Sequence, residues 1–162
     1  MNISCSQLNS GSCKTYLISN DLNNDIVLID PIINELDRYH SVIKDKNLTL
    51  TMIIDTHTHA DHISASASLV DSYNCAYAMH PDSPVACASI QLKNNETLEL
   101  FDSIPVKIIY SPGHTKDSLS LIFPQWLFTG DALFLDDGGA GRDDLPGGDP
   151  GAHWETLRLF NT

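Results

Sequence analysis

Thr56-His57-Thr58-His59-Ala60-Asp61-His62 follows the apolar run Leu50-Thr51-Met52-Ile53-Ile54-Asp55 and crowds three imidazoles and a carboxylate together. Neutral imidazole with carboxylate suits zinc, iron, manganese or nickel, whereas a calcium site is built from oxygen donors. The preceding run is β-branched and bounded, and reads as a buried strand that delivers the histidines at its C-terminal end. Small and apolar residues from Ile63 to Val70 read as a helix, with Asp61 placed to cap it. The local plan is strand, ligand loop, helix. A solvated histidine-rich turn is the bland alternative, and the density of ligating side chains favours the ligand loop.

Upstream, Ile3–Leu8 and Lys14–Ile18 read as a hairpin across residues 9–12, followed by a strand at Asp25–Asp30. Asp30, beside Pro31, either supports a ligand histidine or starts the next helix. From Ile32 the apolar positions Ile32, Leu36, Tyr39 and Ile43 recur at helical spacing. His40 reads as a surface or half-buried position of that helix. Downstream, a short strand at Ala76–Met79 ends at His80, read as a turn or capping residue beside Pro81 and Pro84. Strands are expected at Leu98–Phe101 and Val106–Tyr110, and the second runs into Ser111-Pro112-Gly113-His114-Thr115. The Pro-Gly turn presents His114 at a strand end, repeating the logic of the first loop. A further strand pair, Ser118–Phe123 and Gln125–Thr129, leads to Gly130-Asp131, where Asp131 is either a third ligand or a loop residue in an Asx-turn. Residues 136–151 are rich in Gly and Asp and read as a loop, in which Arg142 is the residue to hold an anionic substrate or anchor Asp131. A short amphipathic helix is expected at His153–Phe160.

The chain has 162 residues, which predicts a single domain, and 42% of them are hydrophobic. Its formal charge of -12 argues against nucleic acid or an anionic membrane as partner. The N-terminus lacks the features of a secretory signal, and no apolar stretch reaches membrane-spanning length. Cys5, Cys13, Cys75 and Cys87 match no CxxC spacing. With a metal site on an acidic chain they suggest a reducing, cytoplasmic setting, and Cys75 and Cys87 read as buried structural thiols.

With HTHADH at 57–62, SPGHT at 111–115 and TGDALF at 129–134 in that order, the chain resembles the metallo-β-lactamase fold superfamily. The resemblance implies an α/β, αββα sandwich over residues 1–162, with a C-terminal part missing. Gly141-Arg142-Asp143-Asp144 resembles the GRTDF stretch of the persulfide dioxygenases, with Asp143 in place of Thr and Leu145 in place of Phe. That resemblance implies one Fe(II) per chain on His59, His114 and Asp131, with His57, Asp61, His62, Arg142 and Asp144 supporting ligands or substrate. Glutathione persulfide and O₂ are then the substrates, and sulfite and glutathione the products.

The rival implied by the same superfamily is a two-zinc hydrolase of the glyoxalase II type, cleaving a glutathione thioester. There His57, His59 and His114 hold one zinc, Asp61 and His62 the second, and Asp131 bridges them. The late histidine of a PxHxY-like stretch, which that second zinc needs, has no counterpart, since His153 lies in a helix. A third reading is a metal-binding remnant without turnover, whose exposed sheet edge makes it aggregate or form a homodimer.

Overall fold

The computed structural model describes residues 3–135 and 138–161. Met1, Asn2 and Thr162 lie outside them, as do Asp136 and Asp137, the first two residues of the expected Gly- and Asp-rich loop. The chain is mixed α/β and divides into two compact units. One takes in the chain up to Asp55, with His59–Met79 and Ala86–Ile90; the other takes in Thr56–Thr58, His80–Val85 and the chain from Gln91 onward.

The first unit is built on a sheet of order β1-β2-β3-β4-β5-β6. Its strands are β1 (Ile3–Gln7), β2 (Tyr16–Asn20), β3 (Asp25–Ile29), β4 (Thr49–Ile54), β5 (Ala76–Met79) and, at the edge, β6 (Ile90–Gln91). β1, β2 and β3 form an antiparallel meander, as the hairpin reading predicts. β3, β4 and β5 are parallel, which a tight turn cannot connect. Helix α1 (Leu36–Asp45) therefore crosses from β3 to β4, and α2 (Ser66–Tyr73) from β4 to β5. Ile26, Val27, Leu28 and Ile29 are all fully buried, the continuous apolar run of a strand covered on both faces. α1 buries Tyr39 and Ile43, two of the four periodic positions. The Tyr39 hydroxyl accepts from Ile32 N–H (3.0 Å) and pairs with Thr15 Oγ1 (2.8 Å), so the ring enters the core without stranding its polar end.

α2 differs from expectation. It begins at Ser66, and Asp61 does not cap it. Ser64 takes the initiating role instead, its hydroxyl accepting from Ser66 N–H at 3.1 Å. The reading of Cys75 and Cys87 as buried thiols is also corrected: Cys75 is half-buried and Cys87 exposed. None of the four cysteines forms a disulfide.

The second unit carries an antiparallel sheet of order β10-β9-β8-β7. Its strands are β7 (Thr97–Leu100), β8 (Ile104–Tyr110), β9 (Leu119–Ile122) and β10 (Leu127–Phe128). In β8 the buried Ile104, Val106 and Ile108 alternate with exposed Pro105 and Lys107, so one face of the sheet meets the core. A single 3₁₀ turn, Gly130–Ala132, follows β10. Helix α3 (Pro150–Phe160) has Pro150 in its first turn and is capped by Asp149, which accepts from Ala152 N–H at 3.0 Å. Among the described residues no helix is long and apolar enough to cross a membrane.

Candidate metal centre

Within the second unit, three chain segments converge on one carboxylate oxygen. Asp131 Oδ2 stands 3.9 Å from His57 Nε2 and 3.6 Å from His114 Nε2. The two imidazoles meet edge to face, with ring centroids 4.9 Å apart. His57 and His114 are buried, and Asp131 keeps about a third of its side chain exposed.

Local structure explains each placement. Leu119 N–H donates to the Thr56 carbonyl at 2.8 Å, stitching the histidine-rich loop onto β9. Gly130 has φ +51°, and a Cβ there would lie 2.6 Å from Thr56 Oγ1, so only glycine lets the turn that carries Asp131 pack against the Thr56-His57 pair. His114 leaves the Pro112-Gly113 turn with its Nδ1 2.7 Å from the Arg142 carbonyl. A carbonyl only accepts, so Nδ1 carries the proton, and in the neutral ring the lone pair sits on Nε2, facing Asp131. Thr56 Oγ1 lies 2.9 Å from His57 Nδ1 and orients that ring, the hydroxyl being able to donate or to accept there.

This donor set fits a transition-metal ion. Bonds of about 2.0–2.2 Å to nitrogen and oxygen in tetrahedral or octahedral geometry place neighbouring donors roughly 3–3.6 Å apart. The separations from Asp131 lie at or just above the upper end of that span, longer than a good hydrogen bond and short enough for one ion to draw together.

The first unit holds two further groups. His59 Nε2 lies 3.4 Å from Asp30 Oδ1, beside the buried Asp55. Asp30 thus faces a histidine of the loop, one of its two sequence readings, rather than capping a helix. Asp55 accepts from the hydroxyls of Ser64 (2.8 Å), Ser66 (3.0 Å) and Tyr77 (2.7 Å). Burial, and then the nearby charge of Asp30, push its carboxyl up to about 6. His62 stacks on His59 with centroids 4.2 Å apart and turns Nε2 to within 3.8 Å of Asp61 Oδ1. Burial, then the charge of His59, hold the His62 ring below its ordinary pKa. The Cys13 thiol donates to Asp61 Oδ2 at 3.2 Å.

Of the residues the resemblance singled out, His114 and Asp131 come together, and the imidazole that joins them is His57, whereas the resemblance implied His59. The Arg142 guanidinium forms a two-pronged pair with Asp144, Nε to Oδ1 at 2.8 Å and Nη2 to Oδ2 at 3.0 Å. Arg142 meets the centre through its carbonyl, not through an ion pair with Asp131.

Asp117 went unnoticed in the sequence, and His153 was set aside there as a helix residue. Asp117, buried, accepts from Thr58 N–H (3.0 Å), from the Thr58 hydroxyl and from the Thr115 hydroxyl (2.7 Å), tying the two histidine loops together. His153, buried in α3, has its Nε2 2.8 Å from the Ala132 carbonyl and its Nδ1 3.4 Å from Asp143 Oδ2. Gly113 runs so close to it that a Cβ there would lie 2.4 Å from His153 Cα. Its helical context hid its role, although a histidine on the inner face of a helix one turn past a cap was the available signal.

A family model described as the Metallo-beta-lactamase superfamily matches residues 8–161. The human persulfide dioxygenase ETHE1, mitochondrial, is 31% identical over 140 residues, 85% of this chain and 54% of its own length. A hydroxyacylglutathione hydrolase of Actinobacillus pleuropneumoniae is 33% identical over 128 residues, 78% of this chain and 52% of its own. The crystal structure of ETHE1 from Myxococcus xanthus superposes with a TM-score of 0.88 at 32% identity, covering 96% of this chain and 68% of that one. The chain thus spans about half the length of these curated relatives.

Proposed function

The chain belongs to the metallo-beta-lactamase superfamily, and on that premise we propose that it is an iron-dependent persulfide dioxygenase. The observation that carries this reading is the pair of imidazole Nε2 atoms facing a single oxygen of Asp131. Two histidines and one carboxylate are the donor set of non-haem Fe(II) oxygenases, which leave adjacent positions open. In this reading His57, His114 and Asp131 hold the metal. When bound, it supplies a centre where a sulfur compound and O₂ exchange electrons. Glutathione persulfide, O₂ and water become sulfite and glutathione, the outer sulfur being oxidised and O₂ reduced.

The chain's own contribution is positioning. The Arg142 carbonyl keeps the His114 proton on Nδ1 and leaves Nε2 to the metal. Asp117 fixes the loops that carry His57 and His114. Burial of both rings keeps water from their flanks, and the partly exposed Asp131 leaves the approach on its side. The sequence relationship to the human persulfide dioxygenase supports the same choice.

Two-zinc thioester hydrolysis is the second reading. It is favoured by Asp61 and His62, which offer donors for another ion, and by the relationship to the hydroxyacylglutathione hydrolase. A metal-binding remnant without turnover, or a homodimer of such chains, is the third. Anaerobic purification, metal analysis and O₂ uptake with glutathione persulfide separate them. The dioxygenase reading expects about one iron per chain and O₂ uptake abolished by His57→Ala, His114→Ala or Asp131→Ala. His59→Ala tests the ligand set: if it removes the iron and His57→Ala does not, the set implied by the resemblance replaces the present one. Two zincs with thioester cleavage and no O₂ uptake overturn the proposal for the hydrolase, and metal without either activity leaves the remnant.

A further inference from the structure

We propose that Cys13, Asp61 and His62 form a separate metal site of thiolate, carboxylate and imidazole donors, suited to a borderline divalent ion such as zinc. It takes Asp61 and His62 from the two-zinc reading and supplies the missing ligand from Cys13. It does not depend on which reaction the chain performs, and uses none of His57, His114 or Asp131.

The three side chains come from two places in the first unit. Cys13 lies in the turn between β1 and β2, and Asp61 and His62 in the loop after β4. One donor atom of each falls within 4.8 Å of the others. Cys13 Sγ is 3.2 Å from one Asp61 oxygen, and His62 Nε2 is 3.8 Å from the other. A tetrahedral zinc, with bonds of about 2.0–2.3 Å, holds its donors about 3.3–3.8 Å apart, so the cluster is close to ligand spacing before any ion enters. The stack on His59 orients the His62 ring. Asp61, with 60% of its side chain exposed, leaves a path for the ion and room for water as fourth ligand.

Chemistry favours zinc over magnesium or calcium, because a thiolate is a poor partner for hard cations. Binding replaces the S–H bond of Cys13 with a metal–sulfur bond, and the thiol proton leaves to solvent. The hydrogen bond to Asp61 already points that proton at a carboxylate that can pass it on.

The test is titration of the purified, metal-free full chain with Co(II), a spectroscopic substitute for zinc. A thiolate on Co(II) gives a near-ultraviolet charge-transfer absorption that imidazole and carboxylate do not. The expected result is that absorption in the parent, in Asp131→Ala, and in a variant with Cys5, Cys75 and Cys87 all replaced by serine. In Cys13→Ser it is lost, and one equivalent of metal binds at least tenfold more weakly. No charge-transfer absorption in the parent, its survival in Cys13→Ser, or its loss from the variant that keeps only Cys13 would each overturn the site. Competition by zinc that abolishes the signal one-for-one is expected, and magnesium at the same concentration leaving no signal change is the matching control.

Discussion

Replacing Asp117 tests whether a single buried carboxylate braces the metal centre. In Asp117→Ala three donors lose their acceptor: the Thr58 amide, the Thr58 hydroxyl and the Thr115 hydroxyl. A hydrogen bond to a charged group is worth about 1.5–3 kcal/mol net, but the hydroxyls recover part of that. Thr115 Oγ1 already lies 2.8 Å from Ser118 Oγ, and Thr58 Oγ1 3.4 Å from Ser83 Oγ. The Thr58 amide cannot rotate away, so its loss is the least recoverable. The expected destabilisation is about 3–5 kcal/mol, a large share of a typical domain's stability. Asp117→Asn keeps an oxygen for Thr58 and is expected to cost about 1–2 kcal/mol. Urea unfolding of the metal-free chain reads both values. Apparent zinc affinity of the folded variants should fall about 10–100-fold for Ala, because the loops carrying the ligands are no longer tied. An alanine variant within about 1 kcal/mol of the parent, or Asn as damaging as Ala, would refute the reasoning.

Gly113→Ala drives a Cβ into the His153 backbone at a glycine with φ +144°, and should cost about 2–4 kcal/mol in the same unfolding assay. Burial, and then the charge of Asp30, push the Asp55 carboxyl up to about 6 in the fold, above its ordinary value of 3.8, so the folded state binds its proton more tightly than the unfolded one. Its contribution is present in full below about pH 4 and is lost as pH rises through about 6; Asp55→Asn is expected to flatten that fall in a stability-versus-pH series. Metal at a hundred times its dissociation constant should stabilise the chain by about 2.7 kcal/mol, so chelation is expected to lower Tm in calorimetry by several degrees in the parent and by less in His114→Ala.

Most strands were legible because their apolar runs are short, bounded and β-branched, and Ala76–Met79 falls where the pattern placed it. The start of α2 was not, because Asp61 satisfies the composition rule for a cap while its carboxylate is engaged by Cys13 and His62 instead. Local sequence cannot register that competition, which depends on a turn 48 residues away. The three motifs supplied the residue types from which the centre is proposed, but which imidazole of the first loop faces Asp131 depends on an irregular backbone that alternating residues do not encode. Asp117 and His153 escaped for a related reason: each acts on backbone and hydroxyl groups of distant segments, so neither sits in a recognisable cluster.

The contact between His114 and the Arg142 carbonyl has a consequence for heredity. A main-chain oxygen is supplied by every amino acid, so the codon at 142 is at liberty to drift while the imidazole keeps its tautomer. Alanine at this position would leave that carbonyl, and with it the His114 contact, in place. The vulnerable codon is its neighbour, Gly141, where a Cβ would fall 1.7 Å from the Asp131 carbonyl oxygen, and there purifying selection should act on the shape of the peptide chain itself.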